Sequence, residues 1–304
     1  MDYKQIEAFI KVVEMASFSK AAEELFISQP SVSTYISTLE KELGVTLINR
    51  STKVLSVTLA GERFLEQARK MMLLKRESIE MLKNLSDDVS GEIRIIASSV
   101  PAHYLLPQLF AEFHKLHPGI SFVMNQGDTA QVVQGIALHK GDIGFAGSVM
   151  GERKCDFVEF ANEQLVFLAP NDGTYSESEY YTLEELLYSN NFIAREFGSG
   201  TRIQYEKFFS ENGIVLDKIK TCAIMDSSIS IVNAVVNGLG VSIVSEMAAG
   251  QMTEQKAVLP LKLKASLPER KIYMVLNKNI IHSHILKLFM EYVTQKSSCF
   301  RCGV

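Results

Sequence analysis

Two arginines, two glycines and two hydroxyls crowd into the run Arg195-Glu196-Phe197-Gly198-Ser199-Gly200-Thr201-Arg202. Glycines let backbone amides approach a bound group, the hydroxyls add donors, and guanidinium groups hold oxyanions through paired hydrogen bonds. The chemistry on offer is an anion or carboxylate cradle. It is not a phosphate loop, because no lysine follows the second glycine. Nor is it a dinucleotide fingerprint, because Ile203 stands where the third glycine belongs. The same residues also suit an ordinary glycine-rich connection between a strand and a helix, with its arginines on the surface.

A different chemistry lies near the N-terminus. Gln29, Ser33, Thr34 and Ser37 recur at helical spacing as a face of short polar side chains. Glutamine can bond adenine in bidentate fashion, and hydroxyls can meet bases, phosphates or thymine methyls in a major groove. Downstream, Arg50, Ser51, Thr52 and Lys53 can hold phosphates, which fixes register without reading sequence. A solvated helical hairpin explains the same pattern.

Other reactive groups lead nowhere specific. Cys299-Phe300-Arg301-Cys302 is a single CxxC, with His282 and His284 on the other side of a predicted helix, and reads as a thiol pair in a flexible tail. Cys155 and Cys222 stand alone, as buried small hydrophobes do. His103, His114, His117 and His139 lack metal-ligand spacing and no hydrolytic triad is visible, so no cofactor, metal or catalysis is expected.

Composition bounds these readings. Hydrophobic residues make up 47% and charged residues 22% of the 304, which suits a protein with real cores and two or three units. The net charge is −4, and residues 1–88 hold twelve Lys and Arg against thirteen Asp and Glu. Any DNA contact must therefore rest on locally placed cations rather than on a general positive field. MDYKQIEAF has no basic stretch followed by an apolar run, and no window is long and apolar enough to span a membrane. With cysteines this sparse, a cytoplasmic setting with no membrane partner is expected.

The elements that must position these groups follow from periodicity. Ile6, Phe9, Ile10 and Val13 share one helical face. Ser19 can cap a second helix that buries Ala21, Ala22 and Leu25, and Phe26-Ile27-Ser28 makes a turn. A third helix has Pro30 in its first turn, buries Val32, Ile36, Leu39 and Leu43, and ends at Gly44. Asn49 to Thr58 suggests a short hairpin, and Thr58 can cap a long helix to about Leu85. There Leu65, Met72 and Ile79, with Ala68, Lys75 and Leu82, form a heptad seam suited to a dimer, its lysine snorkelling. Asp87 to Gly91 is the linker. Beyond it, strands alternate with helices over some 200 residues, which argues for parallel sheets covered on both faces and for two lobes. In such sheets, ligands sit beyond the carboxyl ends of strands, where helix N-termini point. Ser98-Ser99-Val100-Pro101 and Gly127-Asp128-Thr129 occupy such places, as does the 195–202 run. Asp128 opposes a fully charged oxyanion unless it faces away.

Ala21-Ala22-x-x-Leu25-x-Ile27-Ser28-Gln29-Pro30-Ser31-Val32-Ser33, Leu39-Glu40-x-x-Leu43-Gly44-x-x-Leu47, Arg50 and Leu59-x-Gly61 together resemble the LysR-type transcriptional regulators. The resemblance extends, through size and element order, over essentially the whole chain. It implies an α/β protein with an α-rich N-terminal unit: a winged helix-turn-helix over 1–58, then a linker and dimerisation helix over 59–88. A two-lobed periplasmic-binding-like effector domain would follow, with lobe I over 92–163 plus 267–296, lobe II over 164–264, and a tail over 297–304. It implies double-stranded DNA as a partner, contacted by Gln29, Pro30, Ser31, Ser33, Thr34 and Ser37 with Arg50 to Lys53, and a homodimer or homotetramer. It also implies a small-molecule effector at Ser98, Ser99, Thr129, Ser199 and Thr201, with Arg195, Gly200 and Arg202 of the cradle beside them. The Arg-Glu-x-Gly-Ser-Gly-Thr-Arg run resembles the branch linked to sulfur-assimilation genes, which implies sulfate, sulfite or a small sulfur metabolite, while the cradle's own residues also admit a small carboxylate. The competing reading is a cytoplasmic solute-binding or catalytic α/β protein whose N-terminal helices serve only assembly.

Overall fold

Packing divides the chain into two compact units, Met1–Asp87 with Leu138–Lys140, and Asp88–Ala137 with Gly141–Val304. The computed structural model describes residues 1–49, 55–83, 89–280 and 282–301.

In the first unit, α1 (Tyr3–Met15) opens with a capping box: Gln5 N–H donates to Asp2 Oδ1 at 2.8 Å, and Asp2 N–H donates to Gln5 Oε1 at 3.0 Å. For α2 (Phe18–Glu24) the cap is Ser17, not the expected Ser19. Ser17 has the extended backbone a cap requires and accepts from Lys20 N–H, while Ser19 donates to Gln29 Oε1 at 3.1 Å. Phe26 makes the turn with φ 54°, a left-handed conformation that side-chain-bearing residues disfavour. Ser28 caps α3 (Gln29–Leu43), and Gly44 at φ 69° ends it. Ala21 and Ala22 let helices pack closely around Phe9, Val12, Val32, Ile36 and Leu39. β1 (Ile48–Asn49) and β2 (Ser56–Val57) pair antiparallel, the base of the expected hairpin.

Thr58 caps α4 (Leu59–Lys83) by accepting from Gly61 N–H at 3.0 Å. The expected seam on α4 divides in use. Ala68 is buried in the core of α1–α3, with Leu65 and Met72 packed against it, and Lys75 lies over the Tyr3 ring at 4.6 Å. Ile79 and Leu82 stay exposed.

The second unit begins with a parallel sheet. β3 (Gly91–Ala97) leads through a π-helical turn (Pro101–Leu105) into α5 (Leu106–Leu116), then β4 (Ile120–Gln126), α6 (Thr129–Ala137) and β5 (Ile143–Ala146), in the order β4-β3-β5. Alternate β3 residues face opposite ways. Ile93 and Ile95 join Phe113, Phe145 and Phe289 on one face, while Ile96 joins Val132, Ile136 and Val275 on the other.

The chain then runs as one 16-residue strand, β6 (Cys155–Pro170), roughly 50 Å long. A second lobe follows: β7 (Tyr180–Tyr181), α7 (Leu183–Ser189), β8 (Phe192–Arg195), α8 (Gly200–Glu211), β9 (Thr221–Met225), α9 (Ser228–Val236), β10 (Ser242–Ser245), α10 (Glu246–Glu254) and β11 (Val258–Leu263). The chain returns through β12 (Glu269–Asn277) and closes with α11 (His284–Arg301). β12 pairs with β6 over Cys155–Gln164, while β10 and β11 pair with its far end. These pairings are antiparallel, so the sheets are mixed rather than parallel throughout. The reason is topological: β6 runs toward the second lobe and β12 runs back beside it. Phe167, Tyr205 and Phe209 fill one face of the second lobe, and Leu168, Ile193, Ile231 and Val244 the other.

Candidate functional site

Between the lobes, strand ends and helix starts converge on a cavity of about 420 Å³. β3 delivers Ser98 and Ser99, β4 delivers Gly127 and Asp128, β8 delivers Arg195 and Glu196, and β9 delivers Asp226. α6 and α8 begin here with Thr129 and Gly200. Of the expected effector residues, Ser98, Ser99, Thr129, Arg195, Ser199, Gly200 and Thr201 all line this cavity. Arg202 does not. Its Nη1 donates to the Arg195 carbonyl at 2.8 Å, its Nε to Glu206 at 2.7 Å, and its guanidinium lies 3.8 Å from the centre of the Phe197 ring. It braces the start of α8.

The 195–202 run is built for close approach. Gly198 has φ 89°, and a side chain on it would meet Asp128 Oδ2 at 3.0 Å. A Cβ on Gly200 would meet the Gly147 carbonyl carbon at 3.0 Å and Thr129 Oγ1 at 3.1 Å. The glycines thus serve contact between lobes as well as access to backbone amides.

Arg195 is only 3% exposed. Its Nε and Nη2 hold the two Glu196 oxygens at 2.8 and 2.9 Å, and Nη1 donates to Ser228 Oγ at 2.6 Å. Nη2 also reaches Ser99 Oγ in the other lobe at 3.3 Å. Arg195 N–H donates to the Tyr205 oxygen at 3.1 Å, and burial pushes that phenol up to about 12.

A second buried arginine, Arg270 of β12, was not among the expected residues. It is 4% exposed, lines the cavity, pairs through Nε with Glu163, and donates from Nη1 to Thr201 Oγ1 at 2.9 Å. The available signal was alternation: Arg270, Ile272 and Met274 all face inward on β12. Burial, then the charge of Glu163, raises the pKa of nearby Tyr104. Thr129 is completely buried, and its Oγ1 has no hydrogen-bond partner among the described residues. Asp128 does not face away. It lines the cavity while Oδ1 caps α6 by accepting from Gln131 N–H at 2.7 Å.

The other candidate surface is α3. Gln29, Pro30, Thr34 and Ser37 are exposed, while Ser31 and Ser33 are half-buried. Pro30, Ser33, Thr34 and Ser37, with Thr38 and Lys41, line a shallow groove. Thr34 and Ser37 donate to the Pro30 and Ser33 carbonyls at 2.9 Å each, and Ser31 Oγ lies 2.8 Å from Ser28 Oγ. Ser19 holds the Gln29 oxygen, which aims the amide. Lys41 is the cation that sequence reading omitted. Arg50, Ser51, Thr52 and Lys53 lie outside the described residues.

The cysteines part ways. Cys155 is buried, and burial first, then Glu152 and Asp156, pushes its thiol up to about 11. Cys222, expected to be buried, is exposed, on a strand, β9, none of whose residues is buried. The Cys299 side chain and Cys302 lie outside the described residues.

Comparison with known proteins matches residues 3–62 to the bacterial regulatory helix-turn-helix proteins of the lysR family, and residues 86–298 to the LysR substrate binding domain. The chain belongs to the LysR family. It is a LysR-type transcriptional regulator with an effector-binding domain. Among its LysR relatives, the HTH-type transcriptional regulator CysL of Bacillus subtilis (strain 168) is 33% identical over 245 residues, covering 81% of each chain. Two solved structures show the same fold. Full-length CbnR complexed with its target DNA gives a TM-score of 0.68 at 21% identity, covering 97% of this chain and 99% of CbnR. The CcmR regulatory domain of Synechocystis PCC6803 with 2-PG gives 0.63 at 20% identity, covering 68% and 98%. The LysR effector domain is the two-lobed second unit, and the LysR helix-turn-helix is the first. Among the described residues, no helix is long and apolar enough to cross a membrane.

Proposed function

We propose that this LysR-family regulator reads duplex DNA through the N-terminal half of α3, and that a small anion in the interlobe cleft re-angles its DNA-bound heads. The observation carrying the anion reading is Thr129: a buried hydroxyl with no hydrogen-bond partner among the described residues, in a cavity also lined by two buried guanidinium groups that are each paired with a carboxylate. Buried polar groups normally find partners, so an empty one at a helix start awaits a ligand acceptor. CcmR holding 2-PG in the same fold, and CbnR holding DNA, support the assignment. Carboxylates and sulfur oxyanions are the ligand classes, the latter following from the resemblance to the sulfur-assimilation branch. Gln29 and Ser33 supply base contacts, while Arg50 and Lys53 supply phosphate contacts. Exposed Ile79 and Leu82 pair with a second copy in a homodimer or homotetramer. A coupling of about 1–3 kcal/mol between ligand and DNA suffices for such control.

The test is a gel shift against the DNA upstream of the protein's own gene, across a salt series, with Gln29→Ala and Ser33→Ala. Salt-sensitive, sequence-dependent binding that these changes weaken is expected; its absence in the wild type leaves assembly as the role of the N-terminal helices. Thermal shifts with sulfate, sulfite, thiosulfate and small carboxylates test the cleft. Thr201→Val should remove any shift that an anion produces.

A further inference from the structure

We infer that the ligand of the interlobe cleft is a small zwitterion of the α-amino-acid class, an inference that rests on reading the cleft as an effector site. The charges lining the cavity do not suit a simple dianion. Arg195 is closed on both oxygens of Glu196 and on two serine hydroxyls. Arg270 is paired with Glu163. Each cation is therefore already matched by a carboxylate. Asp128 and Asp226 also line the cavity, and neither side chain makes an ion pair among the described residues. A multiply charged oxyanion would enter beside two surplus negative charges with no surplus positive charge to hold it, and like charges at this range repel.

The same residues suit a ligand that carries both signs. Thr129 Oγ1 is buried without a partner among the described residues, which marks the place for a ligand oxygen. Nη2 of Arg270 makes no hydrogen bond to another described residue and adds a donor to the cavity wall, and α8 begins there at Gly200. The residue just before Thr129 offers the opposite chemistry. Asp128 uses Oδ1 to cap α6 and leaves Oδ2 against the bare Gly198. A hydroxyl that needs an oxygen acceptor and a carboxylate that needs a cation thus sit on consecutive residues. An α-amino acid carries both groups, its carboxylate and its ammonium, on one carbon. The about 420 Å³ of cavity leaves room for a side chain beyond them.

The full-length protein would be titrated, by calorimetry and thermal shift, with each standard L-α-amino acid. For any that binds, the matched 2-hydroxy acid lacks only the ammonium and the matched primary amine lacks only the carboxylate; sulfate and thiosulfate complete the panel. We expect one amino acid to bind at least tenfold more tightly than both of its matched analogues. Asp128→Asn keeps the helix cap, because asparagine caps as well as aspartate. It should weaken the amino acid at least tenfold while binding the hydroxy acid at least as tightly as the wild type. Thr129→Val should weaken both. If the hydroxy acid or an inorganic oxyanion binds as tightly as every amino acid, or if Asp128→Asn leaves the amino acid unaffected, the zwitterion is overturned and the anion cleft stands. If no probe binds at all, both readings fail.

Discussion

Arg270 and Glu163 stand directly opposite each other in the antiparallel ladder of β12 and β6, and their side chains form an ion pair sealed from solvent on the strands that carry the chain between lobes. Arg270 also holds Thr201 at the start of α8, so one guanidinium links the crossing strands to the cleft. A buried pair of this kind contributes little net stability, but breaking it strands a charge.

Arg270→Met should therefore cost about 3–5 kcal/mol in denaturant unfolding, because Glu163 remains buried and uncompensated. Glu163→Met combined with Arg270→Met should recover most of that loss. A double variant no more stable than Arg270→Met would contradict this account of the pair.

Phe26 is 94% exposed and held at φ 54°. A left-handed conformation costs such a residue about 1–2 kcal/mol, whereas asparagine tolerates it. Phe26→Asn should raise the melting temperature, since almost no packing is lost. An unchanged or lower melting temperature counts against strain at this turn.

Gly200→Ala places a methyl against the Gly147 backbone and Thr129 Oγ1. Neither neighbour is the end of a long flexible chain, so the surrounding backbone must give by a few tenths of an ångström. The expected cost is about 1–3 kcal/mol, together with weaker ligand binding in titration.

Glu112 on α5 accepts from Lys296 Nζ and the Tyr292 hydroxyl, at 2.7 Å each, and from Gln108 at 2.9 Å. The Lys296 contact, then Gln108 and Tyr292, lower its carboxyl from 4.5 to about 2. Because the folded value lies below the unfolded one, the stabilisation is complete above about pH 4.5 and is lost as pH falls toward 2. Glu112→Gln should flatten the pH dependence of the melting temperature in that window, while leaving it unchanged in shape near neutrality.

Ile79→Glu with Leu82→Glu should weaken self-association in sedimentation without unfolding the helix-turn-helix, whose core uses Leu65, Ala68 and Met72 instead.

The helix-turn-helix was legible because each device is local: Pro30 in the first turn, Gly44 at the end, and inward residues at 3-4 spacing. The cleft was partly legible, since strand ends followed by small polar residues mark helix starts. Arg270 escaped because its role depends on β12 lying beside β6, a pairing that joins residues 107 positions apart. The strand Val258–Leu263 contains Pro260, and the first half of β6 alternates irregularly with exposed acidic residues, so neither displayed the apolar run of a buried strand. α10 buries only Ala249 and left no periodic stripe to read. Non-local pairing, rather than weak local propensity, set the limit.

β6 is hydrogen-bonded into the sheets of both lobes, first with β12 and then with β10 and β11. Neither lobe can lose this strand without the other losing a member of its own sheet. Heat should consequently find no intermediate with one lobe melted and the other intact: calorimetry of the second unit should show a single transition whose calorimetric and van't Hoff enthalpies agree.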